Sequence, residues 1–200
     1  MNSVEQHWDN FSKRDDSASF SVIYNHHIDE LYAYGVSMGF ERESCRDAIQ
    51  DVFVKLYVSR KSLTDVANIT AYIFRSFKNR LIDMTRTQRG SDSLENMEDT
   101  FKLEVTVLDD IIDSETTAAV KGKVNRLLSH ITANQREAVY LRYAVGLPHK
   151  QIAEIMNINE ESARKLLYRA MKKLREKASE GDYEGKVMVI LLIQMLTDLI

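Results

Sequence analysis

The stretch from Pro148 to Lys173, PHKQIAEIMNINEESARKLLYRAMKK, constrains this chain more than any other, because two apolar runs at helical spacing are separated by only three residues. Ile152, Ala153 and Met156 line one side of a first helix, and Asn157, Ile158 and Asn159 form a turn with Ile158 as an apolar plug. Asn159 then suits the N-cap of a second helix, since its side-chain oxygen can accept from a backbone N–H of the first turn. Along that second helix Ala163, Leu166, Leu167, Ala170 and Leu174 fall in one stripe, and Glu161, Arg164, Lys165, Tyr168, Arg169 and Lys172 share the opposite face. Helix, short turn and helix make a helix-turn-helix, and a basic face carrying one aromatic suits a DNA major groove. Taken alone, the same pattern equally describes an ordinary surface helix with a solvated charged side.

The distribution of charge favours the DNA reading. The whole chain carries −3, yet residues 117–177 hold 13 Lys and Arg against 5 Asp and Glu, whereas residues 87–116 hold 2 against 9. Basic charge is thus gathered around the helix-turn-helix and acid is gathered just before it. One Pro and 7 Gly in 200 residues, among abundant Leu, Ala, Glu, Lys and Arg, predict an all-α chain. The single cysteine, Cys45, excludes an internal disulfide and a cysteine metal cluster and is expected as a small buried residue. The beginning of the chain shows no basic, apolar, small-residue succession of a signal peptide, which predicts a cytoplasmic protein.

In chain order, residues 1–17 are polar apart from Trp8 and Phe11 and are expected to be a loosely held N-terminal arm. Phe20, Ile23, Tyr24, His27, Leu31 and Tyr34 recur at helical spacing, and Gly35 with Gly39 marks the end of that helix. His26 and His27 lack an acid or cysteine at ligand spacing, so they are expected at the surface and the edge of the core, with no metal. A second helix from about Glu43 to Val58 buries Cys45, Ala48, Ile49, Val52, Phe53 and Leu56 and turns Asp47, Gln50, Asp51 and Lys55 outward. A third, about Asn68 to Arg86, buries Ile69, Tyr72, Ile73, Phe77, Leu81 and Met84, with Arg75, Lys78, Asn79, Arg80, Asp83 and Arg86 near the surface. Helix phase leaves Phe74 open between core and surface. Three helices around one apolar centre make a first domain, residues 18–86.

Residues 87–116 lose this periodicity and form an acidic linker, part of which is expected to dock because it holds Leu103, Val105, Val107, Leu108, Ile111 and Ile112. A second domain, residues 117–177, opens with Val120, Val124, Leu127, Leu128 and Ile131. Thr132 and Gln135 are spaced as a capping box, and Gly146 stands where a helix ending at Val145 needs its C′ residue.

These segments together resemble the extracytoplasmic-function group of the sigma-70 family of bacterial RNA polymerase sigma factors. Asp47-Ala48-Ile49-Gln50-Asp51-Val52-Phe53 is similar to the family's polymerase-binding helix, which implies Asp47, Gln50, Asp51 and Phe53 as polymerase-binding residues. Ala71-Tyr72-Ile73-Phe74-Arg75 through Asn79, Asp83 and Arg86 resembles the helix that reads the minus-ten element, implying Tyr72, Arg75, Lys78, Asn79, Arg80, Asp83 and Arg86 as DNA-binding. Leu128 to Gln135-Arg136, Leu141-Arg142-Tyr143, Gln151-Ile152-Ala153-Glu154 and Tyr168-Arg169-Ala170 through Leu174-Arg175 resemble the domain that binds the minus-thirty-five element. That similarity implies contacts from Glu161, Ser162, Arg164, Lys165, Tyr168, Arg169 and Lys172. Two departures stand out: Tyr72 replaces a usual Trp, and Pro148 with Gln151 replaces a Ser and Glu capping box.

The resemblance implies core RNA polymerase, promoter DNA and an anti-sigma factor as partners, no cofactor, and a loop from Arg60 to Asn68 that holds an unstacked non-template base. No nucleophile beside a base, no metal set and no glycine-rich phosphate loop is found, so no enzyme is expected. The competing reading is a helix-turn-helix regulator that binds duplex DNA without polymerase. Residues 178–200 form an apolar extension whose run from Val187 to Ile193 is far below the ~20 residues of a membrane span. Such a run is expected to cover an apolar surface elsewhere on the chain.

Overall fold

The computed structural model describes residues 3–89, 101, 122 and 124–179. All regular elements among them are helical, and they form two compact units, the first built on the helices up to Arg89 and the second on most of the helical residues from 124 onward, 154–157 being grouped with the first. The rest of the acidic linker and residues 180–200 of the apolar extension, including the run expected to cover an apolar surface, lie outside the described residues.

The first unit holds four helices, α1 (Ser3–Arg14), α2 (Ser17–Ser37), α3 (Arg42–Ser59) and α4 (Ile69–Arg89), with a single 3-10 turn at Arg60–Ser62. The expected loose arm is therefore a helix. Val4, Trp8 and Phe11 repeat at i, i+4 and i+7, so one face of α1 is apolar, and all three are buried. The chain then turns at Asp15, whose φ of 62° lies in the left-handed region that Asp tolerates better than most residues. Asp16 caps α2, its carboxylate accepting from Ala18 N–H at 3.1 Å and from the Ser19 hydroxyl at 2.6 Å.

Ile23, Leu31 and Tyr34 of α2, Leu56 of α3, and Ile69, Ile73, Phe74, Phe77 and Leu81 of α4 are fully buried, with the Tyr34 ring 5.4 Å from that of Phe74. Phe74 is thus core and offers no surface for stacking, whereas Tyr72 and Met84, expected inside, are only half-buried. Gly35 lies within α2, and the terminating residue is Gly39 at φ 87°. Gly35 serves close packing: a Cβ there would sit 2.7 Å from Cys45 Sγ and 2.9 Å from Phe77 Cζ, both in the core. Gly35→Ala is accordingly expected to destabilise by up to about 2 kcal/mol, because overpacking at ~1–3 kcal/mol outweighs the ~0.5–1 kcal/mol that Ala gains over Gly in a helix. Chemical denaturation measures this, and a stabilised variant contradicts it.

His27 is fully buried and is not a core-edge residue. Its Nδ1 lies 2.7 Å from Ile23 O and its Nε2 3.0 Å from Thr70 Oγ1, so Nδ1–H donates to the carbonyl and Nε2 accepts from the hydroxyl. Burial opposes the imidazolium and brings its pKa down to about 4. One turn on, burial pushes the Glu30 carboxyl up to about 7.

The second unit contains helical residues 124–129, then α5 (Ala133–Tyr143), α6 (His149–Met156) and α7 (Glu160–Ser179). Thr132 and Gln135 form the capping box in both directions, and Gly146 takes φ 76° beyond the end of α5. Arg136 donates from Nη1 to Leu128 O and Ile131 O at 3.3 and 2.6 Å, satisfying carbonyls at the end of the preceding helical residues. Its Nε reaches Phe101 O at 2.8 Å, and the Phe101 ring, 4% exposed, lies 5.8 Å from that of Tyr140. One residue of the linker therefore docks on the second unit. Between α6 and α7 Asn157 adopts φ 54° and Asn159 Oδ1 caps α7 by accepting from Ser162 N–H at 2.8 Å. Ile158 is exposed rather than a plug, and Ile155 with Ile152 and Ala153 supplies the buried side of α6.

Candidate polymerase and promoter interfaces

Three helical faces carry the residues expected to act. On α3, Asp47, Gln50 and Asp51 are exposed, whereas Phe53 is 3% exposed and packs its ring 4.8 Å from Tyr24. Phe53 therefore supports the face from beneath and presents little of itself to a partner. The same face continues with Val54, Tyr57 and Val58, exposed by 57, 41 and 74%. Asp47, Asp51, Val54 and Val58 follow one another at steps of four, three and four, so acid gives way to apolar surface along one stripe. Those valines were missed by sequence reasoning, although helix phase alone aligns them with the two aspartates. Beside the stripe runs an open groove of about 750 Å³ between α2 and α3, floored by Phe53 and Ile49, with Arg46 at its side 5.7 Å above the Tyr32 ring.

On α4, Arg75, Asn79, Arg80, Asp83 and Arg86 are exposed, and Tyr72 and Lys78 are half-buried. Arg86 lies 3.8 Å from Asp83, a loose pair. Arg80 donates from Nε and Nη2 to Asp51 Oδ2, each at 2.7 Å, so a residue assigned to DNA is paired with one assigned to polymerase. The pair is half exposed and worth at most about 1 kcal/mol. Its consequence is practical: any change at Asp51 also releases Arg80.

On α7, Glu161, Ser162, Arg164, Lys165, Tyr168, Arg169 and Lys172 are all exposed, and Tyr168 shows 68% of its surface. Arg164 pairs with Glu160 at 2.5 Å and Lys165 with Glu161 at 2.6 Å, both one turn back, while Lys172 approaches Glu176 at 3.8 Å. Such i, i+4 pairs hold the cations along the helix at little energetic cost to break, so the groups are pre-arranged and still available to phosphate or base edges. Glu160 and Glu161 also place negative charge at the positive end of the α7 dipole.

Among the described residues no group of three His, Cys, Asp or Glu could hold a metal ion, and no helix is long and apolar enough to cross a membrane. Cys45 is buried, and its thiol is pushed up to about 11.

Comparison with known proteins places these faces in a family. Residues 23–91 match the model of sigma-70 region 2, and residues 121–174 match that of sigma-70 region 4. The chain is 27% identical over 168 residues to the ECF RNA polymerase sigma factor SigM of Bacillus subtilis (strain 168), covering 80% of this chain and 94% of SigM. It is 28% identical over 130 residues to the RNA polymerase sigma factor SigZ of the same organism, covering 65% of this chain and 70% of SigZ. A solved structure of CnrH in complex with the cytosolic domain of CnrY shares the fold, with a TM-score of 0.55 at 16% identity over 90% of this chain and 99% of that one. With region 2 on the first helical unit and region 4 on the second, in that order, the chain belongs to the sigma-70 family of RNA polymerase sigma factors, in its extracytoplasmic-function group.

Proposed function

We propose that the stripe Asp47, Asp51, Val54 and Val58 of α3, with Gln50 and Tyr57 beside it, docks on core RNA polymerase, while α4 and the Arg60–Asn68 loop engage the minus-ten element and α7 the minus-thirty-five element. The observation that carries this reading is the α3 face itself. Three large apolar side chains exposed next to two carboxylates on one helix are a costly surface to leave in water and a suitable one for a basic, partly apolar partner. The DNA-side assignments rest on charge and exposure: Arg75, Asn79 and Arg86 on α4, and Arg164, Lys165, Arg169 and Lys172 on α7, can reach phosphates or base edges. Tyr72 is half-buried, so part of its ring remains accessible to an unpaired base.

The protein makes and breaks no bond in this scheme; its work is binding and holding. It acts in the cytoplasm, where polymerase and promoter are. An anti-sigma partner covering the α2–α3 groove would block the same face, and the structural neighbour CnrH, solved with the cytosolic domain of CnrY, supports that a protein of this fold can be held by another chain.

Asp47→Lys tests the assignment more cleanly than Asp51→Lys, because Asp47 has no part in the Arg80 pair. A reversed rim charge is expected to weaken core binding by ~1–3 kcal/mol with the fold unchanged. Titration of labelled core polymerase measures it, and parental affinity in Asp47→Lys removes α3 from the interface.

A further inference from the structure

Helix α1 lies outside the residues matched to region 2, yet it touches both ends of the loop to which the minus-ten reading assigns an unstacked base. At the loop's start, Asp15 Oδ1 accepts from Arg60 Nε at 2.6 Å. The Arg60 guanidinium also donates to Tyr57 O at 2.8 Å and lies 5.6 and 4.8 Å above the rings of Phe11 and Tyr57, so its position is fixed from three sides. At the loop's end, Glu5 Oε1 accepts from Asn68 Nδ2 at 2.6 Å, while Asn68 Oδ1 accepts from Ala71 N–H at 2.7 Å and caps α4. Glu5 thereby orients the residue that starts the DNA-side helix.

Between these two ties the chain turns through Leu63 N–H to Arg60 O at 3.2 Å and Val66 N–H to Leu63 O at 3.1 Å. Lys61, Ser62, Asp65 and Ala67 are exposed along it. A short loop held at one end by Glu5 of α1 and at the other by Asp15, the residue that follows α1, keeps few conformations, and a pocket that discriminates between bases needs that restriction. The ties are charged hydrogen bonds, and the helix that carries Glu5 and ends just before Asp15 is anchored by Val4, Trp8 and Phe11 in the core. The residue separations, 45 for Asp15 and Arg60 and 63 for Glu5 and Asn68, show that tertiary packing rather than local turn chemistry sets the loop.

We propose that Glu5 and Asp15 of the α1 segment are positioning residues for promoter opening, clasping the Arg60–Asn68 loop at its two ends so that it selects one base of the minus-ten element. They touch no DNA themselves. This inference rests on the assignment of the loop and α4 to that element.

The test uses the full chain with core polymerase and promoter templates carrying each of the four bases at each minus-ten position. The rate of open-complex formation is followed by a fluorescent base on the non-template strand. Glu5→Ala combined with Asp15→Gly removes both ties, and Gly accepts the φ of 62° without strain. The ratio of rates between the best and worst base is expected to fall by about fivefold or more, the lower range for coupled sites, while core affinity stays parental. Glu5→Gln keeps an acceptor for Asn68 and is expected to retain the parental ratio. A double variant that folds, binds core and discriminates like the parent overturns the proposal. If the double variant also loses stability, Asp15→Gly alone decides, since it severs the exposed tie at the start of the loop, and parental discrimination there overturns the proposal. A parental protein without base preference at any minus-ten position would instead overturn the loop assignment beneath it.

Discussion

Arg164→Ala with Lys165→Ala is expected to weaken binding of an upstream-element duplex to the holoenzyme by ~2–6 kcal/mol, the sum of ~1–3 kcal/mol for each base-edge contact. Both side chains are exposed on α7 and tied only to glutamates one turn back, so their removal leaves no buried group unsatisfied and the fold should survive. The pattern of the loss is as informative as its size. If these residues read bases, the loss is concentrated on the preferred duplex and sequence preference flattens. If they touch phosphate alone, every duplex weakens alike and the slope of affinity against salt falls. An unchanged affinity on all duplexes removes α7 from the contact.

Stability against pH should expose two buried groups of opposite sign. His27 titrates near 6.5 when unfolded and at about 4 when folded, so between those values the unfolded chain holds the extra proton and stability is lost as pH falls. Glu30 titrates near 4.5 when unfolded and at about 7 when folded, so between those values the folded chain holds the extra proton and stability is lost as pH rises. Each changes stability by up to ~1.4 kcal/mol per pH unit, and over the shared window from 4.5 to 6.5 they offset one another. Glu30→Gln removes one of the two. The difference in unfolding free energy, variant minus parent, is expected to rise by about 3 kcal/mol between pH 4.5 and 7, since other groups cancel in the subtraction. Trp8, the one tryptophan and buried in the first unit, reports that transition by fluorescence. A flat difference curve would show that Glu30 ionises as it does in the unfolded chain.

Local chemistry was legible in the sequence wherever one residue decides the backbone. Asn159 caps α7, Thr132 and Gln135 form their box, and Gly146 takes its positive φ, each as spacing predicts. The all-α class followed from composition, and the helix-turn-helix and the exposed basic face from periodicity. What was not legible depended on contacts between segments far apart. Val4, Trp8 and Phe11 have helical spacing, but only the packing of α1 against the rest of the first unit turns a polar stretch into a helix. His27 falls in the buried phase of α2, but its full burial could not be read in advance, because the Thr70 hydroxyl that satisfies Nε2 lies 43 residues away. Gly35 reads as a terminator, and the closeness of Cys45 and Phe77 that makes it a packing residue arises from two other helices. Phe53 sits inside as its helix phase predicts, although the resemblance gave it a partner-facing role, and Phe74 sits inside where helix phase had left it open. Among the site residues, exposure on the expected faces could be read in advance, whereas the Asp51–Arg80 pair joining two faces could not.

Two helical units of one chain give core polymerase its choice of promoter. Transcription from a library of random upstream sequences by core polymerase, with and without this chain, measures it directly once the transcripts are sequenced. Defined transcripts are expected only when both are present, enriched for two separated elements, and lost when either element is scrambled. Transcripts with no enrichment over core alone, together with tight binding of the free chain to one duplex, would contradict it.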